Sequence, residues 1–467
     1  MRHDIGALTP TVRPPTSKAM FTVDAALDRL SAALAHARRL GADAADGIYV
    51  GDASTSISVR LGVLEDIGRA EGQEIGLRLF VGNRSASVST SDLSTDALET
   101  AVERALAMAR QAPEDAFAGL APKEMLAHGP FADLEVSDPD NVSAEILKTR
   151  ALAAEDAARA VAGVTNSEGG SASAGRATVA IATSGGFAGG YVTSTHGLSA
   201  SVLAGEGTGM QRDFAYQAAR YLSDLDSPEE TGRKAGERTV ARMNPIRLET
   251  GPMPVVFDPR VSAGLVGHLI GAISGSAIAR RTSFLLDSLG TAVFDSGVTI
   301  LDDPHRRRGL RSKPFDGEGL PTSPKALIEA GALTGWLLDC ASARQLGLVP
   351  TGHASRGIGG PPGAAPTNVH MVPGSISRAS LIGGIKRGFL VTELIGQGVN
   401  GLTGDYSRGA AGFLIDNGEI AGAVAEVTIA GNLRDMFCNL TPADDLTFRH
   451  AINAPTCLVE GMVLAGA

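Results

Sequence analysis

The chain has 467 residues, of which 43% are hydrophobic and 20% charged, and its net charge at pH 7 is −10. These values exclude a disordered chain and a protein that its bulk field would draw to polyanions. The length is sufficient for two ordinary domains with hydrophobic cores. The three cysteines, Cys340, Cys438 and Cys457, are widely spaced, which indicates a reducing compartment and neither a disulfide framework nor a cysteine-based zinc module.

The first segment, MRHDIGALTPTVRPPTSKAM, lacks the apolar core of a secretory signal and contains three prolines. Residues 1–21 are therefore predicted to be a disordered leader. A helix follows, because Leu27, Leu30 and Leu34 share one helical face and Gly41 stops it. The segments SISVRL and EIGLRLFVG alternate apolar and polar residues, which predicts half-buried antiparallel strands.

Three further helices are predicted in the first half of the chain: Thr95–Gln111, about Ala144–Ala162, and a helix that begins after Ser227 and runs to about Met243. Each follows a serine that can act as its N-cap. The inner face of the Thr95 helix is assigned to Leu98, Val102, Ala105 and Met108. Short strands such as ATVAIAT, GGYVTST and LSASVLAG are predicted between the last two helices.

The segment ETGPMPVVFDP resembles a linker that enters a new strand, so a domain boundary is predicted near residue 245. The C-terminal half mixes one long helix with many strands, including a strand–turn–strand with Gly331 and Gly335 at its bends. The predicted fold class is α+β. An α/β N-terminal domain with an antiparallel sheet covers residues 22–245, and a β-rich C-terminal domain with a central helix covers residues 246–467.

The predicted long helix, Val261–Ala279, carries no charge and is long enough to span a bilayer. Its glycines, serines and histidine make it only modestly hydropathic, which favours a buried or half-buried helix and a cytoplasmic protein. Small side chains would allow a strand or a second helix to approach it closely. The small residues with this predicted role are Gly264, Gly267, Gly271 and Gly275.

No single short motif in this chain clearly indicates a cofactor. Gly396, Gly398 and Gly401 have the spacing of a dinucleotide fingerprint, but no apolar helix follows them, so a turn-rich loop is predicted. The nine histidines include no helical pair with zinc-binding spacing. His268 is interpreted as a packing histidine of the long helix.

The segment DDPHRRRGLRSK contains the only dense basic run, Arg306–Lys313. It could contact nucleic acid phosphates, but flanking acids and the lack of interleaved aromatic residues favour an exposed loop. Asp302, Asp303 and His305 are interpreted as part of a solvated turn. Downstream, Asp316 and Glu318 have neither a partner base nor a metal ligand, so no acid–base role follows.

Several longer segments together resemble the TldD/PmbA family, and within it the PmbA/TldE branch, also known as modulator of DNA gyrase. The resemblance covers about residues 22–467 and is strongest after residue 250. It implies a cytosolic dimer and a zinc metallopeptidase, formed with a TldD-like chain, that cleaves unfolded peptides, for example a peptide-antibiotic precursor or an antitoxin. The segments are ARYLSDLDSPEETGRKAGER, GPMPVVFDP, PFDGEGLPTSPKALIEAGALTGWLLDCASARQLGLVPTGHASRG, GVNGLTGDYSRGAAGFLIDNGEIAGAVAEVTIAGNL and APTCLVEGMVLAG.

This sequence departs from the peptidase pattern. In the TldD-like branch an H-E-x-x-x-H helix and a later cysteine bind zinc, and the glutamate activates water. Here the two histidine positions correspond to Val266 and Gly271, the glutamate position corresponds to Gly267, and His268 lies between them. Cys457 lies beyond the usual cysteine ligand. The resemblance therefore implies no zinc ligand and no catalytic residue in this chain, and zinc in a TldD-like partner.

The segment TGDYSRG resembles the family's shared C-terminal signature. It is predicted to be a scaffold that borders the peptide groove, with Asp405 and Arg408 paired or bonded to neighbouring loops. A direct contact with substrate from Asp405, Ser407 or Arg408 stays open. The predicted groove or core residues are Thr403, Gly404, Asp405, Ser407, Arg408 and Gly409.

The leading hypothesis is a non-catalytic metallopeptidase subunit that pairs with a TldD-like chain, forms a homodimer when alone, and binds unfolded peptide. Neither a membrane nor a nucleic acid is expected as a partner. One alternative is a self-sufficient peptidase with a rearranged metal site at His353, His370 or Asp302. The other is a regulator associated with DNA gyrase that uses the Arg306–Lys313 run.

Overall fold

The computed structural model describes residues 20–466. The predicted disordered leader, residues 1–21, lies outside the described residues except for Met20 and Phe21. The Phe21 ring stacks on the Tyr49 ring with centroids 5.6 Å apart, and the Phe21 N–H donates to the Tyr49 hydroxyl at 3.0 Å. The ordered fold therefore includes the end of the predicted leader.

The N-terminal half of the chain forms one antiparallel six-stranded sheet with four helices. The sheet has the strand order β3-β2-β1-β4-β5-β6, and every pair of neighbours is antiparallel. The elements in chain order are α1 (Val23–Arg39), β1 (Ala44–Arg60), β2 (Val63–Val81), β3 (Arg84–Thr90), α2 (Thr95–Gln111), α3 (Ala144–Arg159), β4 (Val164–Thr183), β5 (Ala188–Ala204), β6 (Gln211–Ala219) and α4 (Pro228–Ala241).

The helix signals in the sequence are confirmed at the N-termini. Ser94, Ser143 and Ser227 each accept a hydrogen bond from the backbone N–H three residues ahead. The predicted bounds of α2 are those observed. The assignment of Met108 to its inner face is wrong, because Met108 is 48% exposed whereas Ala109, one residue further round the helix, is buried.

The strands of this sheet are longer than the sequence patterns predicted. The segments SISVRL and EIGLRLFVG belong to neighbouring strands of 17 and 19 residues. The segments GGYVTST and LSASVLAG, predicted as separate short strands, form the single strand β5. Gly197 does not interrupt it, because its backbone stays in register with Ser173 on β4 and Ala218 on β6.

The two faces of the N-terminal sheet pack against different partners. Helices α1 and α2 cover one end of the first face, and α3 and α4 cover the other end. On the opposite face, Ile48 and Ile181 lie in one cluster with Phe315 and Leu320 from the C-terminal half. The two halves of the chain are therefore joined by a hydrophobic interface.

The C-terminal half begins with an extended segment and a helix and ends in short strands. Its elements in chain order are β7 (Gly251–Pro252), β8 (Val255–Phe257), α5 (Pro259–Ala272), α6 (Gly275–Ala279), β9 (Ile300–Asp302), β10 (Lys325–Glu329), β11 (Ala332–Leu333), α7 (Cys340–Leu346), β12 (Ala354–Ser355), β13 (Gly363–Ala364), β14 (Val369–Met371), α8 (Arg378–Gly383), β15 (Arg387–Ile395), β16 (Asp405–Asp416), β17 (Glu419–Asn432), α9 (Leu433–Cys438), β18 (Leu440–Pro442), β19 (Ile452–Asn453), β20 (Cys457–Val459) and β21 (Val463–Ala465). The α+β class predicted from the sequence is confirmed.

Two sheets form most of the C-terminal half. One has eight strands in the order β18-β20-β8-β15-β16-β17-β21-β7, and the other has five in the order β11-β10-β9-β14-β19. Gly331 takes a φ of 81° in the turn between β10 and β11, which confirms the predicted strand–turn–strand at that residue. The bend predicted at Gly335 is wrong, because Gly335 lies beyond β11 and outside any turn. The boundary near residue 245 falls between α4 and β7 and stays a prediction.

The uncharged segment Val261–Ala279 forms α5 and α6, with a break at Ile273 and Ser274. It is mostly helical, as predicted. Helix α5 buries one face, made by Leu265, Val266, Leu269 and Ala272, in the large C-terminal core. Among residues 20–466, no helix is long and apolar enough to cross a membrane.

Candidate functional site

The signature TGDYSRG forms the turn into β16 and the first residues of that strand. Gly404 is buried with a φ of 84°, and an added Cβ would lie 3.1 Å from Asn432 Oδ1, so both conformation and space favour glycine. The Thr403 hydroxyl donates to Asp405 Oδ2 at 2.6 Å, and Asn432 Nδ2 donates to Asp405 Oδ1 at 3.2 Å. These two bonds lower the pKa of the exposed Asp405 carboxyl and fix the turn.

The predicted pairing of Asp405 with Arg408 is wrong. Successive side chains on a strand point to opposite faces, so residues three apart lie on opposite sides of the sheet. Asp405 and Ser407 are on the exposed side, whereas Tyr406 and Arg408 point inward. The alternative expectation, that Asp405 bonds the surrounding loops, is confirmed by its contact with Asn432.

The loop that contains Gly396, Gly398 and Gly401 folds back on the start of β16. The Ser407 N–H donates to the Gly398 carbonyl at 2.7 Å, and a Cβ on Gly398 would lie 2.0 Å from the Ser407 carbonyl oxygen. This G-x-G-x-x-G spacing therefore serves a close backbone contact, and its predicted loop is confirmed. Gly409 lies within β16, where it pairs with Thr428 of β17.

On its inner side, β16 forms a small polar cluster with helix α5. The rings of Tyr406 and His268 meet edge to face with centroids 5.8 Å apart. Tyr406 is 2% exposed, and burial raises its pKa to about 12. The Arg408 charge acts on both rings, and neither the Tyr406 hydroxyl nor Arg408 Nε has a well-formed hydrogen bond within residues 20–466.

Helix α5 presents an open face beside this cluster. Gly264, Gly267, His268 and Gly271 follow the i, i+3, i+4, i+7 spacing of one helical face. A Cβ added to any of the three glycines would meet no atom within 4 Å. The prediction that these glycines allow close packing is therefore wrong, and only Gly275, which would clash with Ser342, packs closely. We call Gly264, Gly267, His268 and Gly271 the open face.

The residues of the open face do not fit a hydrolytic zinc ion. Such a site needs about three protein ligands, and glycine supplies none. The remaining candidate, His268, has its pKa lowered by burial and by the Arg408 charge. Among residues 20–466, no three histidine, cysteine or acidic side chains form a group that could hold a metal. Cys457 is fully buried, with its Sγ 3.7 Å from Met371 Sδ.

The residues of the alternative metal site are used in other contacts. Asp302 is 1% exposed and contacts His353 Nε2 at 3.2 Å, and Thr367 also donates to it. Burial alone would raise the pKa of Asp302, but the bonds from His353 and Thr367 outweigh it and lower that pKa. The solvated turn predicted at Asp302 is therefore wrong. His370 packs on the ring of Phe448.

The basic run Arg306–Lys313 is mostly not an exposed loop. Arg308 pairs with Glu135 at 3.1 Å and with Asp224 at 2.9 Å, and Lys313 donates to the Ala354 carbonyl at 2.9 Å. Arg307 also pairs with Glu135. The expectation of an exposed run holds for Arg307 and Arg311 but fails for Arg308, because distant residues of the N-terminal half supply the acids that pair with it.

Sequence reasoning missed two features of the site. Tyr406 and Arg408 share one side of a strand, and this period-two spacing could have shown that they act together. The guanidinium carbon of Arg306 lies 3.3 Å from the centroid of the Phe448 ring, and no local signal links residues so far apart in the sequence.

These features define a class: a two-domain α+β protein whose β-rich half exposes a glycine-lined helix next to a buried tyrosine and arginine. Family models confirm a narrower assignment. Residues 250–466 match the PmbA/TldA metallopeptidase C-terminal domain, residues 137–243 the central domain, and residues 45–109 domain 1. The chain belongs to the PmbA/TldD metallopeptidase family.

Individual relatives support this assignment over nearly the whole length. The chain is 40% identical to metalloprotease PmbA of Escherichia coli O157:H7, across 96% of this chain and 99% of that protein. It is 36% identical to a metalloprotease PmbA homolog of Haemophilus influenzae, across 88% of this chain and 90% of that protein.

Solved structures share the fold. A protein of Bacteroides thetaiotaomicron, named as a modulator of DNA gyrase, superposes with a TM-score of 0.87 and 27% identity over 94% of this chain and 98% of that one. TldE of Thermococcus kodakarensis superposes with a TM-score of 0.84 over 94% of this chain and 100% of that one. The identity to TldE is 23%, so that likeness concerns the fold alone.

Proposed function

We propose that this chain is the non-catalytic, PmbA/TldE-like subunit of a cytoplasmic zinc metallopeptidase that acts on unfolded peptides. Its TldD-like partner subunit supplies the zinc site, and this chain supplies part of the surface that holds the peptide. Alone, the chain forms a homodimer. It carries neither zinc nor a catalytic residue of its own.

The observation that carries this proposal is the chemistry of the open face. At the positions where the TldD-like branch would place two imidazoles and a glutamate, this chain has Val266, Gly267 and Gly271. Val266 is fully buried in the core, and the two glycines border open space. A helix face without bulky side chains can admit an extended peptide backbone, and it offers no group to activate water.

The names of the relatives support a role in the same family. They do not say which subunit is catalytic, and experiment must decide that. The Escherichia coli and Haemophilus influenzae proteins are named metalloproteases, and the Thermococcus kodakarensis protein is named TldE. A name shared by a whole assembly does not say which subunit holds the metal.

The two alternatives from the sequence have less support. A self-sufficient peptidase would need Asp302, His353 and His370 as ligands, but His353 uses both ring nitrogens, one toward Asp302 and the other toward Thr351 Oγ1 at 2.7 Å. A gyrase-associated regulator would need a free basic run, yet Arg308 is paired with Glu135 and Asp224, and Lys313 is turned into the protein.

The test combines metal analysis with peptide cleavage. We expect the purified chain to contain much less than one zinc per chain by mass spectrometry and to leave an unstructured peptide intact. Adding a TldD-like chain should produce cleavage that a chelator stops. One zinc per chain together with chelator-sensitive cleavage by the chain alone would contradict the proposal, and so would a mixture no more active than the TldD-like chain.

A further inference from the structure

Two adjoining cavities form a trough between the halves of the chain. One has a volume of about 320 Å³ and lies between β6, the short 3-10 helix Leu222–Asp224 and the 306–310 loop. The other, of about 350 Å³, lies between the start of α5 and residues 445–454. Arg449 and His450 line both cavities, so the two cavities adjoin at these residues.

The charged side chains that line the trough are mostly arginines. Seven arginines and three aspartates line its two cavities, in a chain whose net charge is −10. Carboxylates pair with five of these seven arginines; for example, Asp226 contacts Arg449 at 2.8 Å, and Asp213 contacts Arg260 at 2.8 Å. Two guanidinium groups, those of Arg238 and Arg306, have no ion pair within residues 20–466.

Arg306 is arranged to receive an anion. Its guanidinium group stacks on the ring of Phe448, whose centroid lies 5.1 Å from that of the His370 ring. A stacked guanidinium keeps its in-plane N–H groups available, and their fork matches a carboxylate. His450 beside it has its pKa lowered by burial and by the Arg449 charge, so it is a neutral donor or acceptor at pH 7.

The loop that carries Arg306 is held rigidly. A Cβ on Gly309 would lie 2.4 Å from Ser312 Oγ, so the turn is closely packed. Asn368 Nδ2 donates to Ser312 Oγ at 2.9 Å, and the buried Arg220 donates to the Gly309 carbonyl at 3.3 Å. A ligand therefore meets a site that loses little conformational entropy on binding.

We propose that this trough binds an acidic segment of a peptide, with one carboxylate on the guanidinium group of Arg306. The size of the cavities suits side chains rather than a duplex. Asp224, Asp258 and Asp445 along the walls confine the unpaired positive charge to the surroundings of Arg306, which suits a single carboxylate and opposes a polyanion such as DNA. That the ligand is a peptide rests on the proposed function.

The experiment measures binding of a labelled peptide by fluorescence anisotropy, with the full chain alone. One peptide contains aspartate and glutamate, and a matched peptide contains asparagine and glutamine in their place. We expect the acidic peptide to bind more tightly and Arg306→Gln to weaken it about tenfold or more, as for the loss of a charge-assisted hydrogen bond. Arg306→Lys should give a smaller loss, because lysine keeps the charge without the fork.

The matched control is Arg104→Gln, an exposed arginine on α2, which should bind the acidic peptide as the unmodified chain does. Equal affinity for the two peptides, or equal affinity of Arg306→Gln and Arg104→Gln, would overturn the proposal. Preferential binding of duplex DNA, or binding of inorganic phosphate without discrimination between the peptides, would do so as well. Because the assay contains no zinc and no TldD-like chain, its outcome is independent of the cleavage test.

Discussion

Two glycine-bearing helices of this chain use the same residue for opposite purposes. On α4, a Cβ on Gly232 would lie 2.0 Å from the Ala154 carbonyl oxygen of α3, and one on Gly236 would lie 2.7 Å from that of Ala158. On α5, the glycines of the open face border empty space. The glycines of α4 pack directly against α3, whereas the glycines of α5 have no neighbour.

This difference shows how to recognise a helix surface that is kept free of side chains. Glycine inside a helix costs about 1 kcal/mol relative to alanine. In α4 the close approach of two helices offsets that cost, because no larger residue would fit. In α5 nothing within the described residues offsets it. We infer that the open face is kept free of side chains for a ligand or a partner chain.

The largest expected effect on stability comes from a substitution on α4, where the glycines pack against α3. Gly232→Ala places a methyl group 2.0 Å from a backbone oxygen that cannot move without displacing α3. We expect a loss of about 3 kcal/mol or more in the free energy of unfolding, measured with urea. Gly236→Ala should cost less, because its nearest atoms are the end of Val161 and a more distant carbonyl. If Gly232→Ala were as stable as the unmodified chain, α3 and α4 would not pack as closely as described.

A second test uses a buried ionisable group in another closely packed region, the interface between the two halves of the chain. Glu318 is 5% exposed at the interface of the two halves, where the Cys340 N–H donates to its carboxyl group at 2.8 Å. Burial raises the pKa of Glu318 to about 7, from 4.5 in an unfolded chain. Between pH 4.5 and 7 the unfolded chain loses this proton while the folded chain keeps it, so folded stability falls as the pH rises.

Glu318→Gln should remove that pH dependence. At pH 5 the variant and the unmodified chain should be similarly stable, since both carry a neutral group. At pH 8 the variant should gain as much as about 3 kcal/mol in the free energy of unfolding. Glu99→Gln, an exposed change on α2, serves as the control in the same urea titrations. A stability difference that does not change between pH 5 and pH 8 would contradict the raised pKa.

The sequence predicted local structure well where the signal is local. Helix α2 was bounded correctly because Ser94 caps it and its apolar residues recur at helical spacing. The long strands were underestimated because register extends through glycines such as Gly197 once two neighbouring strands flank it. Helix α5 was located, but whether its glycines are closed or open depends on what packs against them.

The candidate site was harder to predict, in one respect through a misread local pattern and in another because its contacts join distant residues. The alternation of a strand determines that Asp405 and Arg408 face opposite ways, so this error was avoidable. The stack of Arg306 on Phe448 joins residues from distant parts of the chain. Such contacts are set by tertiary packing, and a single sequence carries no signal for them.

A smaller effect is expected on the open helix. Gly267→Ala adds a methyl group that meets no atom within 4 Å, so only the helix propensity changes. We expect a gain of about 0.5–1 kcal/mol in the free energy of unfolding. Gly271→Ala should behave in the same way and makes a replicate on the same face. A loss of stability instead would show that the open face is covered, for example by a second copy of the chain.

The smallest effect concerns the charge next to the open face. The pKa of His268 lies below its usual value of 6.5, first because the ring is half-buried and second because the Arg408 charge opposes protonation. Arg408→Gln removes the second cause, so it should raise the pKa of His268 while burial still holds it below 6.5. NMR titration of the imidazole resonances measures this, with His268→Gln to assign the signal and Arg104→Gln as the control. A pKa that Arg408→Gln leaves unchanged would show that the arginine does not face the histidine, and that the cluster beside the open face is not one electrostatic unit.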